Sequence, residues 1–267
     1  MHPSTECSRA PRPFSPKVGA LLGPLEELAR RGGDFYASHL DLGEAGPLAR
    51  YIYLGPAGGG DVQRIGVFAG IHGDEREGAI SLPHFIRALT AKPDAARGYE
   101  LYFYPVCNPT GVEDGTRLSR SGKDLNREFW AESAEPEVRA LEGEIESLGF
   151  QGIIALHADD TSNGIYGFVS GASLTQDVLE PALRSAEAAI PRNRSEIIDS
   201  FPAENGVILE GYPGVLRGPP DVTPRPFEIV FETPQRADLN RQIEANVLAL
   251  TAILTRYSEL LAFSANL

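Results

Sequence analysis

The sequence predicts a single α/β domain whose mixed, mainly parallel sheet is covered by helices on both faces. Strand-like and helix-like segments alternate along the 267 residues, which is the element order of α/β proteins. Several strand-like segments, such as GIIALHAD, carry consecutive apolar residues, as strands buried on both sheet faces do. The chain contains no internal repeat and no interdomain linker. We therefore expect a flexible N-terminal arm over residues 1–16 and one domain over residues 17–267.

The first half of the chain begins with a predicted helix and continues mainly as strands. Residues 18–31 carry apolar side chains at helical spacing, and the glycine pair at 32–33 is a typical helix stop. Short runs rich in β-formers then predict strands, and a Gly-rich turn, PAGGGD, follows the second of them. The further predicted elements are strands at 34–43, 49–56 and 64–70, a helix at 78–91 and a strand at 99–109.

A long connection and a second set of alternating elements make up the rest of the chain. The connection, residues 108–134, is polar and contains Gly and Asn, and connections of that length are often functional. The same patterns predict the elements that follow it. These are helices at 136–149, 173–190 and 238–263, and strands at 152–159, 165–171 and 226–234.

The charge and composition argue against several classes of function. The formal net charge of −13 disfavours nucleic acid and anionic membrane surfaces as partners, since clustered Lys and Arg bind both. No apolar run reaches the ~20 residues that span a bilayer, and Pro and Ser stand where a secretory signal has its apolar core. Cys7 and Cys107 do not make a disulfide framework. We therefore expect a cytoplasmic protein, with Cys107 as a small buried side chain rather than a nucleophile.

Chemically capable side chains follow four of the predicted strands. His72 and Glu75 come after RIGVFAG, Asn108 follows LYFYPV, His157 ends IIALH, and Glu232 ends EIVFE. The spacing of His72 and Glu75 is weak evidence alone, because such pairs arise by chance among this many acidic residues. Sheets of this class, however, place their sites beyond the carboxyl ends of the strands. The coincidence over four strands therefore predicts one common site.

These residues fit the chemistry of a metal-dependent hydrolase. Two imidazoles and one carboxylate, from His72, His157 and Glu75, make a three-ligand zinc site with an open position, which is typical of catalytic zinc. A metal ion there polarises a carbonyl group and activates water. Glu232 is then the candidate general base, which takes the proton of the water and hands it to the leaving nitrogen.

The long connection, with the sequence NPTGVEDGTRLSRSGKDLNREFW, supplies the remaining candidates. Arg117 is a candidate for stabilising the oxyanion of a tetrahedral intermediate. Asn126 and Arg127 are candidates for binding a substrate carboxylate, because a guanidinium matches that group with two hydrogen bonds. Asp124 is a candidate acceptor for the second ring N–H of His72.

These motifs, in this order, resemble the zinc carboxypeptidase superfamily. The resemblance rests on HGDE, NPTG, TR, DLNR, a later strand-terminal His and a final strand-terminal Glu, over about residues 64–233. The long connection looks like that of small bacterial murein-peptide amidases and succinylglutamate desuccinylase-like members. The resemblance implies a carboxypeptidase-like fold, one zinc ion and the same residue roles. These are zinc binding by His72, Glu75 and His157, oxyanion stabilisation by Arg117, carboxylate binding by Asn126 and Arg127, and acid–base catalysis by Glu232.

Two positions depart from the family pattern. Glu128 stands where the family often has Asn after DLNR, and we expect its negative charge to weaken carboxylate binding. Tyr212, in LEGYPG, is the candidate for the mobile tyrosine that contacts the substrate in the family. A packed side chain with a hydrogen-bonded hydroxyl is the competing interpretation of Tyr212.

Charged residues near the candidates in sequence compete with them for two of these roles. Arg120 lies close enough to Arg117 to take the oxyanion position in its place. Asp159 and Asp160 are expected to cap a loop or line the pocket, and they are the reserve ligands if Glu75 does not bind metal.

Three functions remain open. The first is a zinc carboxypeptidase or peptide amidase that cuts next to a free carboxylate. The second is an N-acyl amino-acid deacylase of the succinylglutamate desuccinylase or aspartoacylase type. Such relatives usually carry a further C-terminal domain, whereas 35 residues follow Glu232, so we expect the first function. The third is an inactive zinc-binding relative, which the full set of candidate residues disfavours. In each active case the expected partner is a small peptide or N-acyl amino acid.

Overall fold

The structure, a computed structural model, describes residues 13–170 and 174–264. Residues 1–12 of the predicted arm lie outside the described residues, and the first helix begins at Pro16. The strands are β1 (Phe35–Asp41), β2 (Pro47–Leu54), β3 (Gln63–Ala69), β4 (Tyr99–Tyr104), β5 (Gly152–Asp159), β6 (Tyr166–Val169), β7 (Ile197–Ile198), β8 (Phe201–Pro202), β9 (Val207–Ile208) and β10 (Phe227–Pro234).

Eight of these strands form one mixed sheet, in the order β1–β2–β4–β3–β5–β10–β6–β9. The central strands β4, β3, β5 and β10 run parallel to one another. On one side β2 pairs antiparallel with β4, and β1 pairs antiparallel with β2. On the other side β6 is antiparallel to β10, and β9 is parallel to β6. The predicted single α/β domain with a mainly parallel, mixed sheet is confirmed.

Helices cover both faces of the sheet. They are α1 (Pro16–Arg30), α2 (Glu77–Ala91), α3 (Pro109–Asp114), α4 (Pro136–Leu148), α5 (Glu180–Ala186) and α6 (Leu239–Ser264). The apolar sides of α1, α2, α5 and α6 share one core with the sheet, and α4 packs into a second core on the opposite face. Within the described ranges, no helix combines the length and apolar character needed to cross a bilayer.

The alternation of side chains along β10 determines which of them reach the site. Phe227, Ile229 and Phe231 point into the core beneath α1, α2, α5 and α6. Because successive side chains of a strand point to opposite faces, Glu232 lies on the other face. In the parallel ladder Glu232 is the register partner of His157 on β5. Two of the predicted site residues are therefore neighbours through backbone pairing alone.

The predicted helix at 173–190 is interrupted in the structure. A π-helical turn, Thr175–Leu179, precedes the shorter α5. Pro181 has no backbone N–H and cannot bond the carbonyl of Asp177 in the α-helical pattern. The Nε of Arg256 donates to that carbonyl instead, at 3.2 Å. Residues 191–226, for which the sequence predicted no element, contain the short strands β7 to β9.

Candidate metal centre and active-site cavity

A cavity of about 480 Å³ opens at the carboxyl ends of the central parallel strands. His72 and Glu75 reach it from the loop between β3 and α2, His157 reaches it from β5, and Glu232 from β10. Four further predicted residues line the same cavity, namely Arg117, Asn126, Arg127 and Tyr212. The fold therefore brings together side chains that are separated by up to 160 positions in the sequence.

The carboxylate of Glu75 lies between the two imidazoles. Its Oε1 is 2.5 Å from Nδ1 of His72, and its Oε2 is 2.9 Å from Nδ1 of His157. The backbone N–H of Ala158 also donates to Oε2, at 3.1 Å. All three side chains are buried. Three ligand-type groups are thus held together away from solvent.

Glycines and one asparagine position the loop that carries His72. Gly70 has a φ of 61°, in the left-handed region that favours glycine. A Cβ at Gly73 would lie 2.0 Å from the carbonyl carbon of Gly111, so this close contact requires glycine. Asn108 Nδ2 donates to the carbonyl of Ile71, and its Oδ1 accepts the N–H of Gly111. Asn108, one of the predicted strand-end residues, therefore braces the loop and does not line the cavity.

The ionisation of the three groups follows from burial and their partners. Burial raises the pKa of Glu75, but His157 and His72 outweigh it and hold that pKa well below its usual range. Burial lowers the pKa of His157, Glu75 acts to raise it, and His72 and Arg117 act with burial, so that this pKa is below its usual value. Burial also acts to lower the pKa of His72, but hydrogen bonds to Asp124 and Glu75 outweigh it and raise that pKa. The site therefore contains an ionised carboxylate beside a neutral imidazole.

These residues fit a metal ion. Ligand atoms of His72, Glu75 and His157 all lie within 4.8 Å of one another. The Nε2 of His157 is buried and has no hydrogen-bond partner among the described residues, so this ring keeps bonding capacity that the protein does not use. Two imidazoles and a carboxylate are a donor set typical of divalent transition metals. Asp159 and Asp160 line the cavity outside this cluster, as expected of wall residues.

Asp124 connects the His72 side chain to Arg117. Its Oδ1 lies 3.2 Å from Nε2 of His72, which is the contact that the sequence predicted. Its Oδ2 accepts from Nε and Nη2 of Arg117, at 3.2 and 3.1 Å. Nη1 of Arg117 also donates to Glu75, at 3.3 Å. The competing Arg120 is instead paired with Asp114 and does not line the cavity.

Glu232 is a buried carboxyl group beside the cluster. Burial raises its pKa well above the usual value, and the nearby carboxylates of Glu75, Asp159 and Asp199 raise it further. A raised pKa makes a carboxyl group a stronger base and lets it hold a proton more readily, which are the properties that general base and acid catalysis need.

Asn126 and Arg127 form a donor pair at another part of the cavity wall. Oδ1 of Asn126 accepts the N–H of Leu216 at 2.9 Å, so the NH₂ group of its amide is the end left for a ligand. Nη1 of Arg127 donates to the carbonyl of Asn126, and its guanidinium lies 4.1 Å from the ring centre of Tyr212. The hydroxyl of Tyr212 donates to Asp199. Tyr212 is therefore hydrogen-bonded and lines the cavity, so both interpretations of this residue agree with its position.

Glu128 does not face the donor pair. Its carboxylate accepts from Nζ of Lys123 at 3.2 Å and from the hydroxyl of Ser133 at 3.0 Å, and it does not line the cavity. The expected weakening of carboxylate binding by its charge has no support in this geometry.

Sequence reasoning missed part of the cavity wall. Asp199, Arg217 and Glu228 all line the cavity. Asp199 and Arg217 belong to residues 191–226, which have no apolar periodicity that would place them. Glu228 lies on a predicted strand, four residues before Glu232. Side chains at this spacing point to the same face of a strand, and this was the one signal in the sequence that places Glu228 beside the cavity.

Comparison with known proteins gives a partial family match and a shared fold. Residues 61–189, just under half of the chain, match the succinylglutamate desuccinylase/aspartoacylase catalytic domain. A candidate metallopeptidase from Shewanella denitrificans superposes with a TM-score of 0.71 at 22% identity, over 89% of this chain and 89% of that chain. No curated protein matches the sequence significantly.

Two further solved structures share the fold. A metallo-carboxypeptidase from Pseudomonas aeruginosa, in complex with (2-guanidinoethylmercapto)succinic acid, has a TM-score of 0.62 at 18% identity, over 93% of this chain and 70% of that chain. The murein-tripeptide amidase from Escherichia coli has a TM-score of 0.52 at 19% identity, over 82% of this chain and 91% of that chain. The predicted carboxypeptidase-like fold is confirmed, and the family match agrees with the resemblance seen in the sequence.

Proposed function

We propose that this chain, with its carboxypeptidase-like fold, is a zinc-dependent hydrolase that cleaves a peptide or amide bond next to a free carboxylate. The catalytic domain in this proposal is residues 17–267. One observation carries the proposal: a buried His–Glu–His cluster, a buried carboxyl group and the hydrogen-bond donors of Asn126 and Arg127 share one cavity. Each of these parts has a separate task in amide hydrolysis.

His72, Glu75 and His157 would hold one zinc ion. Zinc is the metal that this ligand set most often binds at catalytic sites. When bound, the ion would supply Lewis-acid polarisation of the scissile carbonyl and lower the pKa of water. Asp124 supports the site from outside, because its contact with His72 orients that ring.

Glu232 is the proposed general base and acid. It takes a proton from the attacking water and delivers it to the leaving nitrogen. Its raised pKa supports the second step, since a carboxyl group of ordinary acidity holds a proton poorly at neutral pH.

The remaining residues position the substrate. Asn126 and Arg127 hold the free carboxylate, so the scissile bond is presented at a fixed distance from Glu232. Arg117 stabilises the negative charge that develops on the carbonyl oxygen. Its contacts with Glu75 and Asp124 keep the guanidinium beside the proposed metal ligands.

A second candidate function uses the same machinery. In an N-acyl amino-acid deacylase the leaving group is an amino acid with a free carboxylate, which makes the same demands on Asn126, Arg127 and Glu232. The family match over residues 61–189 favours this candidate, whereas the structural matches over most of the chain favour the peptidase. The two candidates differ only on the acyl side of the bond.

A product screen by mass spectrometry separates the candidates. Zinc-loaded protein is incubated with C-terminally varied peptides, γ-glutamyl wall peptides and N-acyl amino acids, and Glu232→Gln protein serves as the control. The variant should keep its metal and lose about 10²- to 10⁴-fold in turnover. Loss of a terminal residue from peptides supports the peptidase or amidase, and release of an acyl acid alone supports the deacylase. Equal turnover by the variant, or no turnover by zinc-loaded protein, would contradict the proposal.

A further inference from the structure

Two amide side chains of α6 lie in the apolar interior of the protein. Gln242 and Asn246 are about one helical turn apart, and their exposed fractions are 1% and 0%. The buried neighbours on the same helix, such as Ala245, Ala249 and Ile253, are apolar. Burying a polar group is unfavourable unless hydrogen bonds replace those that it made with water. The hydrogen bonds of each amide therefore indicate what it contributes.

Gln242 binds the β10–α6 turn, residues 233–237, at three points. Its Oε1 accepts from the hydroxyl of Thr233 at 2.9 Å. Its Nε2 donates to the carbonyls of Gln235 and Ala237, at 3.3 and 2.9 Å. One buried side chain thus uses both ends of its amide on a single short piece of backbone.

The β10–α6 turn in its turn contacts the parts of the chain that carry the proposed metal ligands. The hydroxyl of Thr233 lies 3.3 Å from the carbonyl of His157. The N–H of Gln235 donates to the carbonyl of Asp159 at 2.9 Å, and its Nε2 donates to the carbonyl of Asp74 at 3.0 Å. The turn is therefore bonded both to the end of β5 and to the loop after β3.

We infer that Gln242 is a positioning residue, which fixes the proposed base Glu232 relative to the proposed metal ligands by holding the β10–α6 turn. The inference rests on the proposed function for the role of Glu232. Thr233 follows Glu232 directly on β10, so a shift of the turn moves the carboxyl group, and a displacement of about 1 Å can lower turnover about 100-fold. Asn246 bonds elsewhere: its Nδ2 donates to the hydroxyl of Ser81 on α2 at 3.0 Å, and its Oδ1 has no partner among the described residues.

Matched variants of the two amides test the inference. Gln242→Met removes all three hydrogen bonds at similar side-chain volume, and Asn246→Leu removes an equally buried amide from the next turn of the same helix. Both variants should melt at a lower temperature. Turnover of the substrate found in the product screen is measured well below those temperatures, with the zinc content of each protein checked. Only Gln242→Met should lower kcat, by about 10- to 100-fold, and its KM should stay within about threefold because the substrate-binding residues are unaltered.

Thr233 supplies a second comparison. Thr233→Val removes the hydroxyl that bonds Gln242, whereas Thr233→Ser keeps a hydroxyl, so only the first variant should reduce kcat. A kcat for Gln242→Met equal to that of the unaltered protein, or an equal loss of kcat in Asn246→Leu, would overturn the inference.

Hydrogen exchange followed by mass spectrometry tests the same contacts without turnover. Gln242→Met should speed exchange over residues 229–238, because the β10–α6 turn opens more readily, and Asn246→Leu should leave exchange there unchanged. If the unaltered protein turns over nothing, the proposed function fails and the exchange result still decides whether Gln242 holds the turn. Unchanged exchange in Gln242→Met would overturn the inference whatever the activity.

Discussion

Asp124 is the residue at which the candidate metal cluster, His72, Glu75 and His157, and the proposed oxyanion group, Arg117, meet. One oxygen contacts Nε2 of His72, and the other accepts two hydrogen bonds from Arg117. Burial acts to raise the pKa of Asp124, but His72 and then Arg117 outweigh it and keep that pKa below its usual range. An ionised Asp124 therefore fixes the ring of His72, a proposed metal ligand, and the direction of the Arg117 guanidinium with a single carboxylate.

Replacing Asp124 with Asn should weaken metal binding without abolishing it. The amide removes the negative charge behind His72, and loss of such an outer partner typically costs about 10- to 100-fold in metal affinity. Zinc dissociation constants from competition with a chromophoric chelator measure the effect. Glu232→Gln is the matched control, because it also turns a carboxylate into an amide in the same cavity without touching a ligand. Equal zinc affinities for Asp124→Asn and the unaltered protein would rule out this role.

At the scale of elements, residues 214–218 depend on close packing against residues 126–130. The N–H of Phe129 donates to the carbonyl of Gly214 at 3.1 Å. Gly214 has a φ of 71°, and a Cβ there would lie 2.2 Å from the carbonyl oxygen of Arg127. The segment that carries Arg217 and the segment that carries Asn126 and Arg127 can therefore meet only through a glycine.

Replacing Gly214 with Ala should separate the two segments. The left-handed conformation alone costs about 1–2 kcal/mol for a residue with a Cβ, and the contact with Arg127 adds to that. We expect a melting temperature lower by several degrees and slower turnover of the substrate found in the product screen. Gly211→Ala is the control, since a Cβ at Gly211 meets no atom within 4 Å and the position has no positive φ. Similar melting temperatures for the two variants would show that the contact is not required.

The sequence predicts some of these elements well because their signals are local. Consecutive apolar residues identify β3, β5 and β10, and the ends of these strands place His72, His157 and Glu232. The segment 191–226 has no such pattern, because tertiary contacts hold it, such as the contact of Gly214 with Arg127. The interruption before α5 needed both Pro181 and a partner from α6, Arg256, and only the first is visible locally. Arg217 was missed for the same reason, since its place in the cavity wall is a property of the folded chain.

At the scale of the whole molecule, the site joins distant parts of the chain that the sheet brings together. The loop after β3, the end of β5 and the end of β10 each contribute to the cavity. In the unfolded chain His72 and Glu75 are close in sequence, but His157 is 82 positions from Glu75. A metal ion that needs all three ligands therefore binds the folded state far more tightly than the unfolded state. Metal binding is thus expected to be coupled to global stability.

Zinc should raise the melting temperature, and chelation should reverse the effect. At a free zinc concentration 100 times the dissociation constant, the folded state gains about 2.7 kcal/mol. For a chain of this size that corresponds to roughly 5–10 °C. Differential scanning calorimetry with buffered zinc, then with excess chelator, measures the shift. Glu232→Gln should keep the full shift, and His157→Gln should lose most of it, because only the second variant removes a ligand.

The same shift should shrink as the pH falls. Zinc binds the deprotonated ligands, so protons compete with the metal for His72, Glu75 and His157, and the stabilisation is largest where these groups are free of protons. Repeating the calorimetry between pH 8 and pH 5 at constant free zinc should show a decreasing difference between zinc-loaded and chelated protein. The melting temperature of the chelated protein itself corrects for the titration of the rest of the chain. A zinc-dependent shift of constant size over this range would mean that the ion binds through groups other than these histidines.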